Sequence, residues 1–426
     1  MKIGFMGLGK LGLPCALAVE AAGHEVVGFD PSHHVSNILK TRKLTYVEEG
    51  AQPLLDKTNI KLVEPLEMVK TCDLIFVAVQ TPHNPRYEGV TRLPAKRVDF
   101  DYTWLKQSIT QLADAAIQEA KPTRVVVIST VLPGTIEREI YPIIDAFGGF
   151  LKLCYNPFFI AMGTTIRDFT HPEFVLFGVD DPDTASLAES FYKTLHDRPF
   201  YKTGIKEAEL IKVAYNTFIS TKIAFVNTLM EVCHKTGVNV DAVTDGLKLG
   251  TERLISPRYL TAGMGDGGGC HPRDNIALSW LARKLEMGFD FFECIMLQRE
   301  RQTEWFADII EDERNAEGNR LPVIILGESF KPETNLVVGS PAVLLANVLR
   351  ERSLDPKLVD PIVHPEQQEW VDSPKLWLGK AIYFIGTRHQ MFSQMDFPPG
   401  SVVIDPHRFV KDQDAGVKVV KLGAGE

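Results

Sequence analysis

The stretch Lys2-Ile-Gly-Phe-Met-Gly-Leu-Gly-Lys-Leu-Gly12 decides the fold of the first half of the chain. An apolar strand over 2–6 leads directly into the pattern Gly-x-Gly-x-x-Gly, and the apolar residues from 16 to 22 predict a helix. A second strand, 25–29, ends at Asp30. Strand, glycine turn, helix, strand and acid in this order predict the βαβ unit of a Rossmann domain.

This unit predicts a dinucleotide site. We expect the turn to place backbone N–H groups around a pyrophosphate at the helix N-terminus. Asp30 would accept hydrogen bonds from the adenosine ribose and repel a 2′-phosphate, and residues 31–34 offer no arginine for that phosphate, so NAD is preferred over NADP. A βαβ unit without a nucleotide is the open alternative. Gly7 is expected to make the turn, Gly9 to let backbone N–H groups reach the pyrophosphate and Gly12 to allow close helix-strand packing. The residues expected to bind the cofactor here are Gly7, Gly9, Lys10, Leu11 and Gly12.

Two further buried strands are predicted at 73–79 and 124–129. In a doubly wound sheet, ligands bind beyond the carboxyl ends of the strands. We therefore expect the cofactor cleft to be lined by Thr81, Pro82, Ser129 and Thr130. The alternative for each threonine is a helix N-cap. Residues 83–99 are polar and proline-rich, which predicts a surface loop, and 174–178 is predicted as the last strand of this domain.

A long helix is predicted from about 206 to 234, because the segment contains neither proline nor glycine. Lys212 and Asn216 are four residues apart, so they share one face and can meet one ligand. Ser220 and Asn227 continue the same stripe. A solvated helix face is the alternative interpretation.

The segment Gly265-Asp-Gly-Gly-Gly-Cys-His-Pro-Arg-Asp274 predicts a reactive cysteine. Glycines allow positive φ and close approach to a ligand, and they place Cys270 on a tight turn before a helix predicted at 275–285. A thiol near a helix N-terminus is suited to act as a nucleophile. The alternative is a glycine-rich turn beside an inert cysteine.

Alternating elements after residue 322 predict a second, smaller α/β sheet. Its strands are expected at 322–327, 357–359, 381–385 and 402–405, with a helix opening at Ser340. The predicted fold class is therefore α/β, with a Rossmann domain at 1–203, a central long-helix region at 204–300 that carries Cys270, and a smaller Rossmann-like domain at 315–426.

Composition narrows the class of protein. The chain has 426 residues, 45% of them hydrophobic and 24% charged, with a net charge of −9, which argues against a nucleic-acid partner. Neither a long apolar run nor a signal sequence is present in the sequence given, so no membrane partner is predicted. Six scattered cysteines favour free thiols in a reducing cytoplasm over disulfides or a metal site.

Together these motifs resemble the UDP-glucose/GDP-mannose dehydrogenase family, in register from the first residues to about Pro361. The matching segments are Gly7-x-Gly9-x-x-Gly12-Leu13-Pro14, Gly23-His24-x-Val26-x-Gly28-x-Asp30, Thr81-Pro82, Ser129-Thr130, Tyr155-Asn156-Pro157, Glu207-Ala208-Glu209-Leu210-x-Lys212-x-x-x-Asn216, Gly265-x-Gly267-Gly268-x-Cys270-x-x-x-Asp274 and Phe330-Lys331-Pro332. The resemblance implies a two-step oxidation of a nucleotide sugar at C6, from alcohol to carboxylate, with two NAD.

The resemblance also implies roles for individual residues. Cys270 would form a thiohemiacetal and then a thioester, and Asp274 would hold or activate the hydrolytic water. Lys212 and Asn216 would stabilise oxyanions at C6, and Thr130 would help to place the water. The expected substrate contacts are Lys212, Asn216, Arg253 and Arg258 for the diphosphate, Gly265, Gly267 and Gly268 along the sugar ring, and Lys331 from the C-terminal domain, which would bind the sugar nucleotide. The central helix would form a homodimer.

Five positions depart from the family pattern. Two expected glutamates are Phe158 and Met162, which removes the usual carboxylates near the chemistry. Arg273 replaces a lysine, Val338 an arginine and Asp266 a phenylalanine. Asp274 or His271 could serve the water instead, although His271 could equally have no role.

Two interpretations of function therefore stay open. The first is an NAD-dependent nucleotide-sugar 6-dehydrogenase of the UDP-glucose type. The second is a relative that binds NAD and a nucleotide sugar but completes no oxidation or stops at the aldehyde. A UDP-N-acetylhexosamine or GDP-mannose substrate is equally compatible with the sequence, because the sugar is selected by pocket shape.

Overall fold

A computed structural model of the chain describes residues 1–82, 85–251, 254, 256, 259, 261–265, 268–286, 290–318, 321–414 and 416–424. The chain forms two compact units. The first comprises Met1–Pro82 and Asp99–Ala214, and the second comprises His83–Val98 and Tyr215–Glu426. The boundary between the predicted domains at 204–300 and 315–426 stays a prediction.

The first unit is built on an eight-stranded sheet with the order β3-β2-β1-β4-β5-β6-β7-β8. Neighbouring strands are parallel except for β6 and β7. The order reverses between β1 and β4, which is the switch point of a Rossmann fold. The strands are β1 (Lys2–Met6), β2 (Glu25–Phe29), β3 (Lys61–Leu62), β4 (Leu74–Val77), β5 (Thr123–Val127), β6 (Leu151–Tyr155), β7 (Val175–Val179) and β8 (Phe200–Thr203).

Helices cover both faces of this sheet, as the apolar central strands require. They are α1 (Gly12–Ala21), α2 (His33–Thr41), α3 (Ala51–Leu55), α4 (Pro65–Thr71), α5 (Thr103–Gln118), α6 (Tyr141–Ala146), α7 (Thr165–Thr170) and α8 (Pro182–Tyr192). A π-helical turn, Ile136–Ile140, precedes α6. In the core, the rings of Phe5 and Phe76 from neighbouring strands stack with centroids 5.3 Å apart.

The second unit contains a five-stranded parallel sheet with the order β10-β9-β11-β12-β13. Its strands are β9 (Val323–Leu326), β10 (Lys357–Val359), β11 (Ile382–Ile385), β12 (Val402–Asp405) and β13 (Lys418–Lys421). Alternate residues face two separate hydrophobic clusters. Val323 and Ile325 pack with Phe306 on one face, and Ile324 and Leu326 pack on the other.

Long helices accompany this second sheet. The described helices after α8 are α9 (Ile205–Thr236), which spans the boundary at residue 214, α10 (Val240–Lys248), α11 (Cys270–Lys284), α12 (Phe291–Ala316), α13 (Pro341–Glu351), α14 (Gln368–Asp372), α15 (Pro374–Trp377) and α16 (Gln390–Ser393). Val226 and Met230 of α9 and Phe306 of α12 contribute to the same buried cluster. Among the described helices, none combines the length and the apolar run that a membrane crossing needs.

The fold class is confirmed, and three local predictions need correction. Strand β7 is not the last strand of its sheet, because β8 follows it. Residues 85–98 are not a simple surface loop, since Arg97 is buried and its guanidinium donates to Glu293 at 2.9 Å. The helix after the glycine segment begins at Cys270, five residues earlier than predicted, and its early Pro272 is tolerated because the first N–H groups of a helix have no partner within the helix.

Candidate active site

The turn after β1 leaves open space at one glycine. Gly7 has φ 98°, which favours glycine, and a Cβ on Gly12 would overlap the carbonyl oxygen of Gly7. A Cβ on Gly9 would meet no atom within 4 Å. Gly9 is therefore not required by packing within the protein, and the space beside it lies next to the start of α1. This arrangement fits a pyrophosphate.

Asp30 holds this turn from the end of β2. Its Oδ2 accepts the N–H of Leu8 at 2.8 Å, and its Oδ1 accepts the N–H of Ser32 at 2.9 Å. The residue is partly exposed. Each carboxylate oxygen can accept more than one hydrogen bond, so Asp30 retains capacity for ribose hydroxyls.

The ends of β4 and β5 lie beside the switch point, where the sequence predicts the rest of the cofactor cleft. Thr81 donates its hydroxyl proton to the carbonyl of Thr130 at 2.8 Å, and Ser129 donates to the carbonyl of Val79 at 2.6 Å. These bonds tie the two strand ends together, with Pro82 next in the chain. Thr81 therefore bridges two loops in the structure and does not serve as a helix N-cap.

Glu209 of α9 fixes the turn that follows Thr130. Its fully buried carboxylate accepts the N–H groups of Gly134 at 2.5 Å and Ile136 at 2.8 Å, at the start of the π-helical turn. Burial raises the pKa of Glu209 to about 7, although both backbone hydrogen bonds oppose the shift. The sequence motif contains Glu209, but nothing in its local pattern indicates a buried partner.

Cys270 is the first residue of α11 and its side chain is exposed. Four other cysteines, Cys15, Cys72, Cys154 and Cys233, are buried, and Cys294 is exposed. Burial raises the pKa of Cys72 to about 11 and that of Cys154 to about 12, so these thiols are protonated near neutral pH. Exposure at a helix start thus distinguishes Cys270 from the buried thiols.

Asp274 lies one turn into α11 and binds two other residues of the candidate site. One is the predicted site residue Asn216, and the other is Arg273, which replaces the lysine of the family pattern. Its Oδ2 accepts the amide N–H of Asn216 at 2.5 Å, and its Oδ1 accepts the Arg273 guanidinium at 2.9 and 3.0 Å. Asp274 is fully buried. Burial lowers the pKa of Arg273, but the charges of Asp274 and Cys270 raise it by more, so Arg273 stays protonated.

A second hydrogen-bonded group lies beside this one on the same two helices. Ser220 of α9 and Nδ1 of His271 are 2.7 Å apart. The amide nitrogen of Asn275 donates to Ser220 Oγ at 3.2 Å and to the carbonyl of His271 at 2.9 Å. His271 thus has a defined side-chain partner, which the sequence did not reveal because Ser220 is distant along the chain.

The described glycines before Cys270 pack closely against other parts of the second unit. A Cβ on Gly268 would lie 2.7 Å from the Phe330 ring, and one on Gly269 would lie 2.6 Å from the carbonyl oxygen of Val338. Asn227 donates to the carbonyl of Gly265 at 2.6 Å. Gln302 of α12, a residue without any sequence signal, donates to the carbonyl of Gly263 at 3.1 Å. The described residues before Cys270, at 263–265 and 268–269, are thus fixed by several contacts.

Lys331 lies on the loop after β9, where its ammonium is 5.7 Å from the Phe330 ring centroid. The loop is fixed by the buried residues Ser329, Asp360 and His389. Asp360 accepts the N–H groups of Glu328 at 2.8 Å and Ser329 at 3.0 Å, and His389 at 3.1 Å. The predicted ligand residue therefore lies on a rigid support.

The positions of the missing glutamates are apolar in the structure as well. Phe158 packs on the core of the first unit with its ring 5.4 Å from that of Phe169, and Met162 is partly buried. The Lys212 ammonium lies 5.2 Å from the centroid of the Phe159 ring. Arg253, Arg258, Asp266 and Gly267 lie outside the described residues.

Known proteins resemble this chain along most of its length. Sequence profiles of the UDP-glucose/GDP-mannose dehydrogenase family match in two places, the NAD binding domain over residues 1–196 and the central domain over residues 206–298. The chain is 28% identical over 393 residues to a GDP-mannose 6-dehydrogenase of Pseudomonas aeruginosa, with 88% of this chain and 85% of that protein covered.

Two further relatives are named as UDP-glucose dehydrogenases. A UDP-glucose 6-dehydrogenase of Bacillus subtilis, YwqF, is 27% identical over 388 residues, which cover 88% of this chain and 84% of that protein. The structure of a UDP-glucose dehydrogenase from the archaeon Pyrobaculum islandicum superposes with a TM-score of 0.86 at 26% identity, covering 100% of this chain and 98% of that one.

Proposed function

Because the chain belongs to the UDP-glucose/GDP-mannose dehydrogenase family and uses NAD, we propose that it oxidises a nucleotide sugar of the UDP-glucose type at C6 to the carboxylate, through a covalent bond to Cys270. The observation that carries the proposal is the cluster at the start of α11. There an exposed thiol begins the helix, and Asp274 one turn later binds Asn216 and Arg273.

NAD supplies the hydride acceptor for each of the two oxidations. In the first, C6 loses a hydride and the C6 hydroxyl loses a proton, which gives the aldehyde. The Cys270 thiolate then adds to C6 and forms a thiohemiacetal, from which the second hydride leaves. Water attacks the resulting thioester, the C–S bond breaks, and the nucleotide uronic acid and the free thiol are released.

The other predicted site residues have supporting roles in this proposal. Lys212 and Asn216 would stabilise the negative charge that develops on the C6 oxygen, Thr130 would orient water, and Lys331 would bind the nucleotide sugar. The hydrogen bond from Asn216 to Asp274 supports this assignment, because it holds the Asn216 amide in one orientation. Burial of both residues has the same effect.

A homodimer in a reducing cytoplasm is part of the proposal. Leu210, Phe218 and Phe225 on α9 are each about half exposed, at 48%, 49% and 52%. They lie on one face of the helix at a spacing that a second copy of α9 could cover. A reducing compartment suits the exposed Cys270, which would otherwise oxidise.

The main alternative is an enzyme that stops at the aldehyde, and Phe158 and Met162 favour it, because neither can take a proton from water. Incubation with excess NAD and single nucleotide sugars, with the NADH and the sugar products counted, tests the proposal. Complete oxidation gives about two NADH per uronic acid, whereas an aldehyde product gives about one. An absence of NADH with UDP-glucose, UDP-N-acetylhexosamines and GDP-mannose alike would contradict the proposal.

A further inference from the structure

Hydrolysis of a thioester on Cys270 needs a group that takes a proton from water. Two titratable side chains follow Cys270 within the first turns of α11, besides the permanently charged Arg273: His271 and Asp274. Asp274 is fully buried, with Asn216 on one oxygen and Arg273 on the other. A proton taken from water would neutralise Asp274 and weaken its ion pair with Arg273, which costs free energy because the carboxylate is fully buried.

The hydrogen bonds around Ser220 determine how His271 is protonated. The Ser220 hydroxyl has one proton, which can go to the carbonyl of Asn216 one turn earlier, at 3.2 Å. The Asn275 amide donates to Ser220 Oγ at 3.2 Å, and its orientation is fixed by its second donation, to the carbonyl of His271. The remaining lone pair of Ser220 then accepts the Nδ1–H of His271 at 2.7 Å.

With its proton on Nδ1, neutral His271 carries its basic lone pair on Nε2. The ring is partly buried, and it follows Cys270 directly in the chain. This arrangement is typical of a histidine general base, in which a hydrogen-bond acceptor holds one ring nitrogen, here Nδ1, while the other, Nε2, takes the proton. Asn275 supports the acceptor and is itself fully buried, so the group is fixed on both helices.

We propose that His271, oriented by Ser220 and Asn275, is the general base that hydrolyses the Cys270 thioester and so takes the place of the glutamates absent at 158 and 162. The inference rests on the proposed function. His271 Nε2 accepts a proton from water as the water oxygen bonds to the thioester carbon. The C–S bond then breaks, and the departing Cys270 sulfur receives the proton from Nε2, which restores neutral His271.

The experiment mixes the protein rapidly with excess NAD and the nucleotide sugar that turns over fastest, and follows NADH and the intact protein mass. The unmodified protein should give a linear progress curve without an acyl adduct. His271→Gln should give a burst of about two NADH per active site, then a steady rate about 100-fold lower, with the acyl group on Cys270. His271→Ala should recover part of its steady rate when imidazole is added.

Two variants separate a catalytic role from a structural one. Ser220→Ala should keep the burst and lower the steady rate about tenfold, because the imidazole loses its orientation. His171→Gln, at an exposed histidine that follows α7, should behave like the unmodified protein. A steady rate in His271→Gln within threefold of the unmodified protein, or loss of the burst together with the steady rate, would overturn the inference. Normal acid formation in Cys270→Ser would instead overturn the proposed function.

Discussion

In each of the two sheets, the strand that comes first in the chain is followed by the same kind of glycine turn, but the two turns have different surroundings. In the first unit, Gly7 follows β1 with φ 98°, and its N–H donates to the carbonyl of Phe29 at 2.8 Å. In the second unit, Gly327 follows β9 with φ 96°, and its N–H donates to the carbonyl of Val359 at 2.7 Å. In both, an aspartate at the end of the neighbouring strand accepts the next N–H along the turn, at 2.8 Å.

The difference lies in what else each aspartate binds. Asp30 is partly exposed, and its turn contains Gly9 with open space beside it. Asp360 is fully buried, and it also accepts the N–H groups of Ile362 and Val363 and the His389 ring. The first aspartate can accept a ligand, whereas the second is saturated by the protein itself.

The first glycine of each turn is closely packed at its switch point, since a Cβ on Gly7 would lie 2.7 Å from the carbonyl oxygen of Ala78. In the second unit, a Cβ on Gly327 would overlap Thr387, and one on Gly386 would lie 2.9 Å from the carbonyl oxygen of Gly327. The two turns differ two residues further on, where Gly9 has open space beside it and the second turn has the buried Ser329. A shared topology does not imply a shared ligand, and here the second turn supports the loop that carries Lys331 instead.

The largest effect that follows from this comparison concerns Asp360. Asp360→Ala should destabilise the second unit by about 3–5 kcal/mol, because several buried N–H groups and His389 lose their acceptor. Chemical denaturation measures the change. Asp355→Ala, at an aspartate whose side chain is 95% exposed, should change stability by no more than about 0.5 kcal/mol. Equal effects of the two substitutions would show that the hydrogen bonds accepted by Asp360 do not stabilise the second unit.

The pH dependence of this contribution has a defined sign. Burial would raise the pKa of Asp360, but His389 and the backbone N–H groups of Ser329 and Glu328 lower it by more. The stabilisation is therefore complete above the unfolded pKa of about 3.9, and it is lost as the pH falls below that value.

Asp30 should affect cofactor selection much more than stability. Titration of the protein with each cofactor, without substrate, should give tighter binding of NAD than of NADP. Asp30→Ala should narrow that preference about 10- to 100-fold, because the ribose hydroxyls lose an acceptor and the 2′-phosphate loses a repelling charge. Equal binding of NAD and NADP by the unmodified protein would contradict the assignment of Asp30, unlike Asp360, as an aspartate that binds a ligand.

The smallest effect concerns Glu209, the buried carboxylate of the first unit. Because its pKa is raised to about 7, the folded state binds the proton more tightly than the unfolded state, and stability falls as the pH rises from 4.5 through 7. The difference in the free energy of unfolding between the unmodified protein and Glu209→Gln should change by about 1–2 kcal/mol over this pH window. Parallel stability curves for the two proteins would contradict the assignment.

Much of the fold could be predicted because its central strands are short apolar runs next to glycine turns. Strands β1, β2, β10 and β12 have the predicted bounds. Strands β8 and β13 were missed, since each lies at a sheet edge and has partly exposed residues without an apolar run. Helix α12 was missed because its many charged residues obscure the stripe that Phe306 and Ile310 form.

The candidate site was predicted in its motifs and not in its contacts. The spacing of Lys212 and Asn216 follows from helix geometry, and Cys270 follows from its glycines. The bond from Asn216 to Asp274 and the pairing of Ser220 with His271 join residues that are far apart in the chain. No local pattern carries such information, since it arises only when α9 and α11 pack together.

The covalent mechanism is tested by the rate of nucleotide uronic acid formation in Cys270→Ser, with Cys294→Ser as the control for an exposed cysteine. Cys270→Ser should lose acid formation by about three orders of magnitude or more, because a serine hydroxyl stays un-ionised near neutral pH and is a much weaker nucleophile than a thiolate. Cys294→Ser should keep its activity. Near-normal acid formation by Cys270→Ser would contradict the covalent mechanism.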